Sequence, residues 1–218
     1  SMRFVQFRGG NFDQAILESV EAERVSFSNA QMTSATFQNG QFSDADFSAA
    51  DVSHANFEQA TLTRASFTGA IASHTNMRLA DMTEVRAAGG ANFDHANLEQ
   101  VTANGAIWMQ SSLREANLKW ADMQRCNLNQ ADLTGANCVA ADMKNSDLTR
   151  ANLKDTNLSD SNLFECQLEN ANITHTKFIG SNLYGAFFHE NISADGRIQQ
   201  SDFDNANLKK TRLAVLAE

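Results

Sequence analysis

The sequence predicts a solenoid, a stack of short identical turns, rather than a fold of helices or conventional strands. Three observations predict it. An apolar residue recurs at every fifth position, the residue two before it is small, and proline is absent from all 218 residues. Between Ala116 and Leu163 the apolar positions are Leu118, Met123, Leu128, Leu133, Cys138, Met143, Leu148, Leu153, Leu158 and Leu163. Each follows an Asn or Asp, which itself follows Ala, Ser, Thr or Cys. A period of five fits neither the 3.6 of a helix nor the 2 of a strand, so it marks an internal repeat. One large and one small residue per unit fill a narrow tube, and the other three face water. Proline would delete a backbone donor that a neighbouring turn needs.

We call the apolar residue the centre of its unit. Centres run from Phe7, Phe12 and Leu17 through Met82, resume at Phe93, and continue to Leu213. These units resemble the A(D/N)Lxx repeat of the pentapeptide-repeat family over nearly the whole chain. The resemblance implies an all-β, right-handed quadrilateral β-helix with four units per coil. About ten coils at a strand spacing of about 4.8 Å make a rod about 50 Å long. One domain is expected over residues 1–218. Residues 1–26, poor in the motif, read as an irregular N-terminal coil or cap. Residues 209–218 read as a C-terminal cap or dimerisation tail, because an open β-helix end is an edge that needs cover.

The register breaks twice. Between Met82 and Phe93 lies one residue more than two units hold. The glycines at 89 and 90 suit a one-residue bulge near 84–92; a six-residue loop that rotates all later faces by a quarter turn is the alternative. Around 187–200 the polar Asn191 and Ser193 stand where inward residues belong, and Asp195-Gly196 is a turn signal, so a projecting loop is expected.

A twenty-residue coil sorts the remaining residues onto faces. Phe7, Phe27, Phe47 and Phe67 form a core stack. Asn56, Asn76, Asn97, Asn117, Asn137 and Asn157 form an amide ladder. Glu21, Asp81, Asp122, Asp142 and Asp202 share another ladder, with Asp122 and Asp142 as stacked neighbours whose like charges need compensation. His54, His74 and His95 line up as a weak candidate metal site or a face that charges below about pH 6.5. Phe164 and Tyr184 stack, with Phe187 nearby, as an exposed aromatic cluster of the kind found at interfaces, or as a surface covered by the 187–200 loop. Cys126, Cys138 and Cys166 occupy inward slots and include no CxxC pair, which reads as packing in a reducing cytosol.

The functional reading is non-enzymatic. A convex rod offers no water-excluding pocket for its carboxylates, and no P-loop, HExxH or nucleophile elbow is present. No cofactor is expected. The net charge of −9 disfavours direct binding to nucleic acid or anionic lipid and favours a basic protein surface. No stretch approaches the roughly 18 apolar residues of a membrane span. The resemblance implies a bacterial protein whose rod surface binds a protein partner. Some members mimic duplex DNA and bind type II topoisomerases, DNA gyrase or topoisomerase IV, modulating quinolone sensitivity. The alternative is a structural or targeting scaffold of a secreted effector or secretion-associated protein. Accordingly the cytoplasm is the expected compartment, with secretion as the alternative. The mimicry is partial in charge. Duplex DNA of about 50 Å carries roughly 29 charges at one per 1.7 Å. Acidic residues predominate most in the first 110 positions, and no lysine precedes Lys119. A homodimer through the apolar C-terminal end is also expected.

Overall fold

The computed structural model describes residues 1–188 and 201–210. The loop expected at 187–200 and the C-terminal tail therefore lie mostly outside the described residues. Every unit consists of one bridging residue, the centre, and a turn. Bridges are parallel and join residues twenty apart: Gln6 to Ser26, Asn11 to Gln31, Ile16 to Thr36, Glu21 to Gln41. Four units thus close one coil of a four-sided β-helix. We number its faces by the first centres: face 1 from Phe7, face 2 from Phe12, face 3 from Leu17 and face 4 from Ala22. Among the described residues there is no helix.

The repeat is explained by its amides. The Phe27 N–H donates to Asp46 O of the next coil at 2.7 Å, and the Asp46 N–H donates back to Val25 O at 2.9 Å. The Asn29 N–H donates to Ser48 O at 2.9 Å, and the Ala30 N–H closes the turn on Phe27 O at 3.0 Å. One amide per unit is left, that of the residue after the centre. The side chain before the centre takes it: Ser48 N–H donates to Asp46 Oδ1 at 2.9 Å, Glu58 to Asn56 at 3.0 Å and Thr134 to Asp132 at 3.0 Å. This is why Asn or Asp precedes the centre so often, and why proline fits nowhere. The third turn residue has φ between 54° and 63° even when it is not glycine. A positive φ there, and not at the preceding residue, marks a type II turn. The inter-coil bond from that residue's own amide holds this costly conformation in place.

The tube is filled as expected. Ring centroids of Phe7 and Phe27 are 5.3 Å apart, those of Phe27 and Phe47 5.5 Å, and those of Phe47 and Phe67 4.9 Å. A second stack, Phe37 on Phe57 at 4.4 Å, runs up face 3. Such contacts add about 0.5–1.5 kcal/mol each beyond area burial. From Leu113 onward leucine takes over most centres. Hydroxyls in small slots donate to carbonyls inside the tube, as Ser146 does to Met123 O at 2.8 Å and Thr156 to Leu133 O at 2.7 Å. Burial pushes all three cysteine thiols up to about 12.

Both irregularities resolve into counts. Ser66 pairs with Arg86, twenty on, but Ile71 pairs with Asn92, twenty-one on. The extra residue falls at Gly89-Gly90, whose φ values are 68° and 79°, while Ala87 and Ala91 stay buried in their regular slots. It is a bulge, and the faces are not rotated. Further on, Lys177 pairs with Asp202 and Asn182 with Asn207, each twenty-five apart. One whole unit more than a coil needs lies between them. Residues 1–26 differ from the expected irregular cap: the bridges begin at Gln6, and the turns at Phe7 and Phe12 close at 3.0 and 2.9 Å. The coil above imposes the backbone pattern, while the centres Phe7, Phe12 and Leu17 are only partly buried against the core.

Candidate functional site

The fold presents side chains as columns, one residue per coil. On face 3 the Asn ladder is hydrogen-bonded: Asn76 Nδ2 donates to Asn56 Oδ1 at 3.0 Å, Asn97 to Asn76 at 3.2 Å and Asn117 to Asn97 at 3.2 Å. It is a structural seam. On face 4, Asp81 and Asp122 flank Thr102, and Asp122 bridges Asp142 directly. Amide donors supply the compensation. Asn104 Nδ2 donates to Asp122 Oδ2 at 2.8 Å and Gln124 Nε2 to Oδ1 at 3.1 Å. Asn162 Nδ2 donates to Asp142 Oδ1 at 2.9 Å.

Asp202 does not belong to that ladder. It follows Lys177 on face 3, because the additional unit before it shifts every later residue by one face. Face 4 is also less acidic than its Asp ladder suggests. Its turn column sets Arg24, Arg64, Arg125 and Lys210 against Asp44, Glu84 and Glu165, and Arg64 grips Asp44 through Nε at 2.8 Å and Nη2 at 2.9 Å. Those hydrogen bonds hold the Asp44 carboxyl below its ordinary range. The face with the largest excess of carboxylates is face 2. Asp13, Asp51, Asp94, Glu115, Asp132 and Asp155 project from it, against Arg114 and Lys154. Sorting all charges, not only those before the centre, by the twenty-residue period would have found it.

The histidines sit on the corner of the same face. His54 and His74 rings lie 4.8 Å apart at 2°, and His74 and His95 4.7 Å apart at 9°. Parallel rings at that spacing hold their nitrogens side by side and do not converge on one ion, whose Zn–N bonds are about 2.0–2.1 Å. Among the described residues no group of three or more His, Cys, Asp or Glu side chains is placed to hold a metal. His95 Nδ1 instead faces Glu115 Oε2 at 3.4 Å.

Phe164 and Tyr184 stack on face 4 with centroids 5.3 Å apart and planes 3° apart. Each ring carries a lysine: Lys144 Nζ lies 5.2 Å from Phe164, and Lys210 Nζ lies 5.3 Å from Tyr184. A hydrogen bond to Tyr184 raises the Lys210 ammonium above its ordinary range. Phe187 bridges Gln167 around the corner on face 1, and with Tyr184 and Lys210 it lines a shallow depression of about 730 Å³. The cluster is therefore aromatic, with Lys144 and Lys210 against its rings and Glu165 in the same depression.

A family model described as pentapeptide repeats matches residues 1–39, 41–78, 62–89 and 91–130, and a second, described as a pentapeptide repeat region, matches 121–208. The chain belongs to the pentapeptide-repeat family. Among solved structures of the family, a trypsin-treated variant of QnrB1, a plasmid-mediated fluoroquinolone resistance protein, is 16 % identical. The match covers 92 % of this chain and 88 % of that one, with a TM-score of 0.52. HetL, a pentapeptide-repeat protein involved in heterocyst differentiation regulation in the cyanobacterium Nostoc sp. strain PCC 7120, is 20 % identical over 97 % of this chain and 90 % of its own, with a TM-score of 0.47. At these identities the likeness is one of fold. No curated protein matches the chain. Among the described residues no helix is long and apolar enough to cross a membrane.

Proposed function

We propose that this pentapeptide-repeat protein is a non-catalytic binding rod that engages a basic protein surface through its carboxylates. The observation that carries the reading is the acidic column set of face 2, where Asp13, Asp51, Asp94, Glu115, Asp132 and Asp155 recur along one side of the rod. Hydrogen bonds from the protein's own amides and hydroxyls fix Asp13, Asp51, Asp94 and Asp132 before any partner arrives, so little side-chain entropy is lost there on binding. Asp132 Oδ1 accepts from the Thr134 N–H at 3.0 Å and Asn152 Nδ2 at 3.1 Å. On the opposite side of the rod, face 4 carries Asp81, Asp122 and Asp142 as a second acidic ladder and, towards one end, the lysine-bearing stack of Phe164 and Tyr184 with Phe187 around the corner. A type II topoisomerase, whose DNA-binding channel is a basic surface shaped for a rod, is the partner class that fits, and a quinolone-protected complex is the corresponding activity.

The test is DNA gyrase supercoiling at rising protein concentration, with and without a quinolone. Inhibition or protection is expected, and Asp94→Lys/Asp132→Lys on face 2 weakens it at least tenfold, more than Asp122→Lys/Asp142→Lys on face 4. Absence of both inhibition and protection overturns the topoisomerase reading. Equal effects of the two pairs overturn the assignment to face 2.

A further inference from the structure

The bulge at Gly89-Gly90 interrupts the amide pattern of the rod. Wherever the next coil is described, the third turn residue of a regular unit donates its N–H to it, as Gly69 does to Ala88 O at 3.0 Å, His74 to Asp94 O at 2.9 Å and Gln110 to Asn129 O at 3.0 Å. At the bulge that bond is missing. By the rule Gly89 would reach Met109 O, but neither glycine amide has an acceptor, and Met109 O has no donor, among the described residues. The turn-closing bond is missing too. Ala70 closes on Phe67 O at 2.9 Å and Ala96 on Phe93 O at 3.0 Å, whereas the Ala91 N–H closes on nothing. Ala88 lacks the usual side-chain acceptor as well, because Arg86 stands before its centre in place of Asn or Asp. Four consecutive amides, from Ala88 to Ala91, are thus without an acceptor among the described residues. Both glycines are exposed and Ala88 is half-buried. Successive backbone N–H groups in a turn form a concavity that takes an anion.

The surroundings choose the kind of anion. Arg86 is exposed and enters none of the ion pairs among the described residues. It is the one charged side chain on face 1 between Asp46 and Asp147. The nearest carboxylates are engaged elsewhere. Asp94 accepts from Ser112 Oγ and from the Arg114 N–H, and Glu84 lies beside Arg64 in its own column. The rim of the opening is apolar. Away from the first and last coils the described residues expose Ile71, Leu79, Ile107, Met109 and Trp120, and three of these border the bulge. Ile107 and Met109 stand directly after Arg86 and Ala88 in the next coil, and Ile71 lies around the corner, bridged to Asn92. Apolar side chains exposed together mark a contact surface.

We infer that the bulge on face 1 docks a segment of a partner protein that presents a carboxylate beside an aliphatic side chain. The carboxylate takes the open amides and the Arg86 guanidinium in charge-assisted hydrogen bonds, the mode by which backbone nests capture carboxylates. The aliphatic neighbour covers Ile107 and Met109. Two features favour such a segment over a phosphate. Met109 O is an open acceptor, and a peptide backbone brings an N–H to it. The apolar rim gains nothing from a phosphate and is covered by an aliphatic side chain. The fold explains why this site is singular. One extra residue lengthens the turn without moving any face, so the amides it uncouples are held in place by regular coils on either side. Face 1 thus recognises an acidic segment, while the carboxylates of face 2 look for a basic surface.

The test is a titration of the isotope-labelled full chain, followed by the amide resonances of Gly89 and Gly90. The probes are the blocked peptide acetyl-Leu-Glu-Leu-amide, its glutamine counterpart acetyl-Leu-Gln-Leu-amide, and inorganic phosphate. Both glycine resonances are expected to move saturably with the glutamate peptide, and the glutamine peptide and phosphate are each expected to bind about tenfold more weakly, the loss of one charged hydrogen bond or of the apolar contact. Arg86→Gln is expected to weaken the glutamate peptide by a similar factor. Deleting Gly90 restores the regular acceptors and is expected to abolish binding, with a circular dichroism melt as the folding control. Resonances that do not move overturn the inference. So does binding that survives deletion of Gly90, which would place the contact elsewhere on the rod. A glutamine peptide that binds equally well overturns the carboxylate, and phosphate that binds as tightly as the peptide overturns the protein segment. None of these outcomes depends on the topoisomerase reading.

Discussion

At the scale of single residues, the inward slots are less interchangeable than the repeat suggests. Gly40 occupies a small slot that elsewhere holds Ala, but the ring of Phe42 turns back over it. A Cβ on Gly40 would overlap Phe42 Cε2 and stand 3.0 Å from Phe37 O. Gly40→Ala is therefore expected to destabilise by about 1–3 kcal/mol, the usual cost of overpacking, read as a lower urea midpoint at unchanged slope. Gly40→Ala combined with Phe42→Leu should recover most of it. Trp108 shows the opposite tension. It is fully buried, and its Nε1 is the one buried side-chain polar atom without a partner among the described residues. These details were not legible in the sequence, because the period says which residue points inward and nothing about its rotamer.

At the scale of the coil, the two irregularities differ in how visible they were. One extra residue breaks a period of five, so the bulge at 89–90 was legible down to its glycines. Five extra residues preserve the period, so although Asn191, Ser193 and Asp195-Gly196 mark a loop at 187–200, counting by twenty still puts Asp202 on face 4, and only its bridge to Lys177 places it on face 3. The amide ladder, the Phe stack and the Asp122–Asp142 contact were legible because they follow from period twenty alone. The acidic excess of face 2 was equally available, yet it needed the turn positions, Glu115 and Asp155 among them, to be sorted along with the rest. The bulge itself carries a prediction. Gly89 and Gly90 add length without changing any face, so deleting one of them is expected to restore a regular twenty-residue coil. That variant should keep its circular dichroism spectrum and a urea midpoint close to that of the parent. Deleting Gly135, inside a regular unit, should abolish the cooperative transition, since every later centre would leave the tube.

At the scale of the molecule, each coil touches only its neighbours, so opening proceeds from the ends inward. The buried thiols report on it. Cys126 and Cys166 occupy equivalent small slots two coils apart, both bonded to carbonyls, Ala103 O at 2.9 Å and Met143 O at 2.8 Å. Both are expected to resist a thiol reagent in the native state, with Cys166, nearer the C-terminal end, labelled several times faster. Equal rates would mean that the array opens as one unit. The same stacking governs what a partner can feel. The hydrogen bonds that fix each carboxylate also fix its pitch, and along any column that pitch is the coil spacing of about 4.8 Å. Phosphates on one DNA strand advance by about 3.4 Å along the axis. The two scales act as a vernier: five coils span about 24 Å, close to seven phosphate steps. A channel that reads phosphate would find the rod in phase at intervals of about half its length, and out of step between them.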